Sequence, residues 1–311
     1  MLGKTAGGLY WMFRYLERGE NAARLVDAGF HIALTHGQSG NDQWESVLET
    51  AGVKESFAET GQVAERRSVL EYLLCDRSNP SSVLSCFHAA RTNARLVRTA
   101  ITREVWEAVN ESWITLQDAL ARPIDVSELP GLLALIRRQN ALVRGALHGT
   151  MLRNDAFDFC RLGTFTERAD NTARILDVKY YVLLPSAIQV GSSLDNVQWE
   201  MVLRSVSGQR AYRWLNGAEI SASGITDFLI FDKRMPRSLL FCTTQVVSIL
   251  AFLQTAYDMP VACHDMGIKQ LEALDARTID NIFEMGLHEF LQEFRSENAN
   301  RASQIERDFR F

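Results

Sequence analysis

The sequence predicts an all-α protein, a multi-helix bundle built from two halves related by a pseudo-twofold axis. Prolines and glycines are few, six and nineteen in 311 residues, so long uninterrupted helices can form. Apolar residues recur at spacings of three and four, as one face of a helix requires. Asn-Gly or Asp-Gly turns flanked by alternating apolar residues, which mark β-hairpins, are absent from the sequence. About ten to twelve helices are expected.

Prolines mark the ends of the predicted helices in chain order. Asn79-Pro80 opens a helix, and residues 81–122 contain neither Gly nor Pro. That segment fits one very long helix or two helices with a kink near Thr102. Pro123 ends it, because a proline inside a helix removes a backbone hydrogen bond.

The remaining prolines divide the rest of the chain. Pro130 opens a helix over about residues 132–147. Pro185 ends the helix that carries the second charged motif described below. Pro236 opens a helix that runs to Tyr257.

The C-terminal region combines a periodic segment with a polar tail. From Ile268 to Phe294 the apolar residues follow helical spacing. Residues 178–182 and 246–249 have strand propensity but continue a helical register, so we assign them to helices. The last residues, Ser296 to Phe311, are polar and are expected to fray.

Composition and charge limit the possible classes of protein. An apolar fraction of 47% and a charged fraction of 23% exclude a disordered or collagen-like chain. The net charge of −5 gives no global attraction to nucleic acid or to an anionic membrane, so neither is predicted as a partner. The most apolar stretch, residues 239–253, contains polar residues and is shorter than the ~20 residues of a bilayer crossing, which favours a buried helix. Five cysteines without Cys-x-x-Cys spacing and the absence of a visible signal peptide predict a cytoplasmic protein.

An eleven-residue segment occurs twice. Residues 17–27 and 167–177 are identical at six of eleven positions, 150 residues apart. Shorter matches follow in the same order: residues 43–48 return at 198–203, and Asp76, Pro80, Ser82, Leu84 and Cys86 return 156 residues later. We therefore predict two helical halves, residues 1–150 and 151–311, packed as one compact unit.

Each copy places polar residues on one helix face. The four members in the first copy share that face because their spacing is i, i+3, i+7 and i+10; they are Arg14, Glu17, Asn21 and Arg24. The second copy has Thr164, Glu167, Asn171 and Arg174. If these faces are buried, the glutamates need cationic partners, and Arg24 and Arg174 are suitable.

Three interpretations of these two faces stay open. They form a buried ion-pair network that clamps the halves, a ligand site for a carboxylate, amine or phosphate, or an exposed face for a partner. A further alternative pairs Glu17 with Glu167 around a divalent cation.

A second row of charge occurs in the first half alone. His88, Arg91, Arg95 and Arg98 have the spacing of one helix face, whereas the matching residues of the second half are not basic. The row suits an anion or an acidic partner, or it is a solvated face paired with carboxylates. It has no interleaved aromatic residues, which disfavours nucleic acid.

Motifs of well-known chemistry are missing. The sequence has no phosphate-binding glycine loop, no His-Glu-x-x-His zinc motif and no Gly-x-Ser-x-Gly nucleophile motif. Neither copy of the repeated segment has the Glu-x-x-His spacing of helical di-iron sites. No metal or cofactor is therefore predicted, and no catalytic residue is identified.

The opening helix resembles that of a known family. Residues 9–24, Leu-Tyr-Trp-Met-Phe-Arg-Tyr-Leu-Glu-Arg-Gly-Glu-Asn-Ala-Ala-Arg, are similar to the start of the bacterial Alpha-E family, all-helical proteins named for a Glu-Arg motif. The resemblance extends over the whole chain, through the segment 76–82 and the second Glu-Arg at 167–168. Gly8 and Gly19 depart from the residues expected in a helix.

The resemblance implies which proteins this one works with, rather than an activity of its own. Alpha-E proteins are often encoded beside, or fused to, circularly permuted ATP-grasp proteins, and near transglutaminase-like peptidases. The leading hypothesis is therefore an accessory protein of an ATP-grasp-type amide ligase, which binds a peptide-like or carboxylate-bearing substrate, or the ligase itself. The rival hypotheses are an enzyme centred on Glu17 and Glu167, with Arg24 and Arg174 stabilising negative charge, and a scaffold whose polar faces are internal salt bridges.

Overall fold

Helices alone make up the regular structure of the described residues. The computed structural model describes the backbone of residues 1–35, 41–182, 193–217 and 219–311, and the side chains of 1–31, 44–177, 196–217 and 219–311. The helices in chain order are α1 (Gly3–Thr35), α2 (Asn41–Ala51), α3 (Lys54–Ala58), α4 (Arg66–Leu74), α5 (Val83–Leu96), α6 (Arg103–Ala119), α7 (Leu129–Thr150), α8 (Asp155–Val182), α9 (Ser193–Ser205), α10 (Gln209–Asn216), α11 (Ala222–Phe231), α12 (Leu239–Tyr257), α13 (Ala262–Asp275), α14 (Ile279–Met285) and α15 (Leu287–Phe309). The all-α class is confirmed, and the described part of the chain already holds more helices than expected.

The proline-free segment forms two helices, α5 and α6. Thr102 is the N-cap of α6, where its hydroxyl oxygen accepts a hydrogen bond from the Val105 backbone N at 3.4 Å. The N-cap of α5 is Ser82, two residues after Pro80. Of the two alternatives, the break near Thr102 is therefore correct. Pro185 lies outside the described residues.

The region after Pro260 divides into three helices, α13 to α15. Thr278 caps the start of α14. Gly286 separates α14 from α15 with a backbone φ of 105°, a conformation that strongly favours glycine. The apolar periodicity persists across these breaks, so the sequence pattern did not reveal them.

The C-terminal tail does not fray, so that prediction was wrong. Residues 296–309 continue α15, where Arg301 is buried and donates hydrogen bonds to Gln270 and Asn298. The ring of Phe309 packs edge-to-face on Phe159, with centroids 5.0 Å apart. Asn298 and Arg301 are the buried polar residues of the tail, and both find hydrogen-bond partners in the packed helices.

The long helices α1 and α8 lie at the centre and bring the two Glu-Arg copies together. α1 packs against α8 and α5, and α8 also packs against α12 and α15. Gly163 permits the close approach, because a Cβ atom there would lie 2.2 Å from the Tyr10 carbonyl oxygen. The apolar core has two clusters, and the first draws residues from both sides of residue 150. The pseudo-twofold axis and the two-domain boundary stay predictions.

Among the helices that the structure describes, one, α12, is long and apolar enough to cross a membrane by length and composition. It packs against α8 and α13, and its buried residues include Leu239, Val246 and Leu253. These contacts are those of a core helix, as the sequence predicted.

Candidate functional site

The two Glu-Arg motifs exchange partners across the interface between α1 and α8. Arg18 donates from Nε to Glu167 Oε1 at 2.6 Å and from Nη2 to Oε2 at 3.1 Å. In return, Arg168 donates from Nε to Glu17 Oε1 at 2.9 Å and from Nη2 to Oε2 at 3.0 Å. Each guanidinium thus holds the carboxylate of the other motif at two points, which is the strongest geometry for such a pair. We call Glu17, Arg18, Glu167 and Arg168 the Glu-Arg seam.

The seam is buried. Glu17 is 2% exposed and Glu167 is 5% exposed. Arg14 adds a third contact to Glu167, from Nε to Oε2 at 2.8 Å. The polar faces of α1 and α8 are therefore buried where Glu17 and Glu167 lie. The interpretation as an exposed partner face does not apply to these two glutamates.

Arg24 and Arg174 do not pair with the seam glutamates, contrary to the prediction. Arg24 binds Glu20 of its own helix through Nη2 at 2.6 Å, and Arg174 binds Asp170 through Nε at 2.6 Å. A residue seven positions along a helix is displaced by about 10 Å, whereas one four positions away lies alongside. The i+7 spacing therefore placed these arginines on the correct face but out of reach of Glu17 and Glu167.

These two arginines also bind carbonyl oxygens at the C-terminal ends of α9 and α2. Arg24 donates to the Ser205 carbonyl oxygen at 2.5 Å, and Arg174 donates to the Thr50 carbonyl oxygen at 3.1 Å. Thr50 and Ser205 are 155 residues apart, the same interval that separates the repeated segments 43–48 and 198–203. The contacts of the two copies are thus reciprocal beyond the seam itself.

Three further residues, which the sequence did not predict, bind the glutamates of α1. Arg237 forms ion pairs with Glu17 and Glu20, both at 2.9 Å, and Arg144 and Asn140 bind the second oxygen of Glu20. Asn140, Arg144 and Arg237 are distant in sequence from α1, so no helical spacing connects them to it. Arg237 alone had a signal, since it stands inside the repeated segment 232–242.

The arginines keep the seam carboxylates ionised. Burial by itself raises the pKa of Glu17, but Arg168 and Arg237 outweigh it and lower this pKa from 4.5 to about 2. Burial likewise raises the pKa of Glu167, while Arg14 and Arg18 bring it down to about 2. Both groups are therefore poor proton acceptors near neutral pH.

These shifts predict loss of stability in acid. The folded pKa values of Glu17 and Glu167 lie below 4.5, so the unfolded chain takes up protons first as the pH falls. The stabilisation they contribute is complete above about pH 5 and is lost towards pH 2. Urea denaturation at a series of pH values should show this decline, and it should be smaller in Glu17→Gln. A wild-type free energy of unfolding that stayed constant from pH 5 to pH 2.5 would contradict the assignment.

A pocket opens beside the seam. It has a volume of about 240 Å³ and lies between α1, α8 and the segments that follow α2 and precede α5. The polar residues that line it are Arg18, Asn21, Ser81, Glu167, Asp170, Asn171 and Arg174. We call this cavity the α1–α8 pocket.

Asn171 is the unusual residue of the pocket. It is 3% exposed, yet neither its Oδ1 nor its Nδ2 has a hydrogen-bond partner within the described residues. Oδ1 of the corresponding Asn21 is likewise without a partner there. A buried polar group without a partner costs about 1–3 kcal/mol, so a ligand that supplied the missing hydrogen bonds would gain from them.

The two copies differ at the residue that borders this pocket. Ser81 corresponds to Arg237, because the segments 76–86 and 232–242 align at an interval of 156. The Arg237 side chain is buried between Glu17 and Glu20 of α1. On α8 the matching carboxylates are Glu167 and Asp170, and there the small Ser81 lines an open space instead.

Comparison with known proteins gives the family. A family model, Alpha-E, described as "a predicted alpha-helical domain with a conserved ER motif", matches residues 1–309. The chain belongs to the Alpha-E family. Uncharacterised proteins of Mycobacterium bovis and Mycobacterium tuberculosis are 21% identical over 256 residues, which is 76% of this chain and 28% of each relative. The chain thus spans little more than a quarter of these curated relatives, and no solved structure matches it significantly.

In this Alpha-E protein the Glu-Arg dipeptide has a structural use. Adjacent residues point about 100° apart on a helix, so one motif presents an acceptor and a donor side by side. Two such motifs on α1 and α8 satisfy each other, as Arg18 with Glu167 and Arg168 with Glu17 show.

The basic row lies apart from the seam and the pocket. His88, Arg91 and Arg95 lie on α5, but α5 ends at Leu96, so Arg98 is not on the predicted helix face. Arg91 donates to Asn110 Oδ1 at 2.7 Å. Within the described residues none of the three arginines forms an ion pair with a carboxylate, so the interpretation as a paired, solvated face is not supported.

Aromatic residues of α6 flank this row, a feature that its own spacing could not show. The His88 ring lies 5.1 Å from that of Trp113, and the Arg98 guanidinium lies 5.6 Å from the ring of Trp106. The row thus contacts an aromatic surface built by the neighbouring helix.

The alternative of a cation between Glu17 and Glu167 has no support. Arginines hold both carboxylates, and positive charge so close repels a metal ion. Among the described side chains no group of three or more His, Cys, Asp or Glu residues could hold a metal ion.

Proposed function

We propose that this Alpha-E protein is a cytoplasmic accessory subunit of an ATP-grasp-type amide ligase and binds the amide or carboxylate group of a substrate or product in the α1–α8 pocket. The observation that carries the proposal is Asn171, buried with two unpartnered amide atoms in a pocket that two arginines line. The circularly permuted ATP-grasp protein is the proposed partner, and a transglutaminase-like peptidase is a second one; both come from the family resemblance.

The chemistry of the pocket suits this ligand class. An Asn side chain offers one acceptor and a two-hydrogen donor, which complement a peptide or carboxamide group. Arg18 and Arg174 each retain a guanidinium nitrogen, Nη1 and Nη2 respectively, that donates no hydrogen bond within the described part of the chain. A carboxylate can accept from such nitrogens, so the pocket offers partners for either end of an amide-forming reaction.

The two rival hypotheses account for less of the site. An enzyme centred on Glu17 and Glu167 would need a carboxylate ready to move a proton, whereas the pKa of each is about 2 and arginines occupy its oxygens. A scaffold explains the seam well, but it explains neither the pocket nor the unpartnered amide of Asn171.

Replacing Asn171 separates a ligand site from a structural one. Asn171→Leu keeps the side-chain size and removes the two unpartnered atoms, so the free energy of unfolding should stay the same or rise by up to ~1 kcal/mol. Asn140→Leu is the matched control, since Asn140 is equally buried but donates to the Glu20 carboxylate. It should lower the free energy of unfolding by about 1.5–3 kcal/mol. Urea denaturation measures both, and an equal loss in the two variants would make Asn171 structural.

The functional test adds the partner. ATP hydrolysis by the circularly permuted ATP-grasp protein of the same organism is measured with each of the twenty amino acids, with and without the Alpha-E protein. Wild type should stimulate turnover with at least one amino acid, and Asn171→Leu and Ser81→Arg, which fills the pocket, should not. Asn93→Ala, a change on α5 away from the pocket, serves as the control. Absence of both stimulation and complex formation with wild type would overturn the proposal.

A further inference from the structure

A second cavity lies on the other side of the seam, between α7 and α8. Its volume is about 330 Å³, and Arg144, His148, Arg161, Thr164, Phe165 and Arg168 line it. Three guanidinium groups and an imidazole face one space, and no carboxylate is among the lining residues. Such a concentration of forked donors is typical of sites for phosphate.

The charges next to the cavity do not cancel. Arg144, Arg161 and Arg168 pair with Glu17, Glu20 and Asp158, none of which lines the cavity. Two more arginines, Arg24 and Arg237, bind the same two glutamates. Around the cavity the arginines thus outnumber the carboxylates that pair with them, and this excess of positive charge suits an anion.

The positive charge around the cavity affects the pKa of His148. Burial lowers the pKa of this imidazole, and the cations Arg153, Arg161, Arg144 and Arg168 lower it further. The side chain also packs on Phe157, with ring centroids 5.4 Å apart. The imidazole therefore reports on the electrostatic potential of the cavity.

We propose that the cavity between α7 and α8 binds a phosphate-bearing small molecule, with Arg144, Arg161 and Arg168 as the groups that contact the phosphate. Arg168 connects this site to the seam, because the same guanidinium also binds Glu17. The cavity volume exceeds that of a single phosphate group, so the ligand carries an organic part or a second phosphate, and the Phe165 ring offers an apolar contact for it.

The test uses inorganic phosphate and ADP as probes, with acetate as the monovalent control. Titration calorimetry should detect binding of phosphate or ADP to the wild type, with acetate at least about tenfold weaker. In NMR spectra, phosphate should raise the pKa of His148, since a nearby anion stabilises the imidazolium.

Two variants complete the test. Arg161→Gln should lower the affinity for phosphate and for ADP by about tenfold or more. Arg103→Gln, on the exposed surface of α6, should leave both affinities unchanged. Asn171→Leu should leave phosphate affinity unchanged, so failure here and failure of the proposed function are distinguishable. No binding of either probe at millimolar concentration, or equal affinity in Arg161→Gln and wild type, would overturn the inference.

Discussion

Replacing Glu17 by glutamine is expected to lower the free energy of unfolding by about 3–5 kcal/mol. Glu17 is almost fully buried, and its carboxylate binds Arg168 at two points and Arg237 at 2.9 Å. When this negative charge is removed, the guanidinium groups of Arg168 and Arg237 stay buried and lose the carboxylate that neutralises them. The loss is large because an unpaired buried charge keeps its desolvation cost.

Urea denaturation monitored by circular dichroism measures this loss. Glu107→Gln is the matched control, because Glu107 forms an ion pair with Arg103 at 2.7 Å on the exposed surface of α6. Exposed pairs contribute little, so the control should remain close to wild type. A Glu17→Gln variant as stable as the control would mean that the seam does not hold the helices together.

Replacing Gly163 by alanine is expected to destabilise the protein by more than about 3 kcal/mol. The added Cβ would lie 2.2 Å from the carbonyl oxygen of Tyr10 and 3.3 Å from the backbone N of Arg14. Backbone atoms cannot move aside as a flexible side chain can, so α1 and α8 would have to separate. Separation would lengthen the contacts of the seam, because the same two helices carry it.

Gly145→Ala provides the control for this second prediction. Gly145 lies inside α7, and an added Cβ there would meet nothing within 4 Å. Alanine favours a helix more than glycine does, so this variant should be more stable by about 0.5–1 kcal/mol. Thermal or urea unfolding compares the two. If Gly163→Ala were as stable as wild type, the close approach of α1 and α8 would be wrong.

Helical periodicity predicted the correct fold class, and the repeated segment marked the two helices, α1 and α8, that carry the Glu-Arg seam. The polar helix faces predicted from the sequence contain Glu17 and Glu167, and both glutamates are buried in ion pairs. Their partners were missed because helical spacing describes one helix in isolation. Arg18 and Arg168 lie about 100° around the helix from the glutamates, beside each polar face, and that side of the helix contacts the other helix.

Polarity alone misled at the C-terminus. A segment as polar as 296–311 is usually solvated, but here Asn298 and Arg301 find buried partners in Thr166 and Gln270. Sequence pattern does not show whether a polar side chain will meet a partner in another helix. The same limit applies to Arg144 of α7, whose contact with Glu20 joins residues that are 124 positions apart.

The difference between the repeated segments was the usable signal for the pocket. Ser81 and Arg237 stand at matching positions, and a change from a small to a large charged residue inside an otherwise similar segment indicates different surroundings. The unpartnered amide of Asn171 needed the structure, because burial and hydrogen bonding are properties of the packed helices.

The central claim is that the two Glu-Arg motifs hold each other across α1 and α8, and a double-mutant cycle tests it most directly. The free energy of unfolding is measured for wild type, Arg18→Met, Glu167→Gln and the double variant. Because the partly exposed Arg18 binds the buried Glu167 carboxylate at two points, the coupling energy should be about 1–3 kcal/mol, well above that of the exposed pair Arg103–Glu107. Additive effects, with a coupling energy near zero, would contradict the claim.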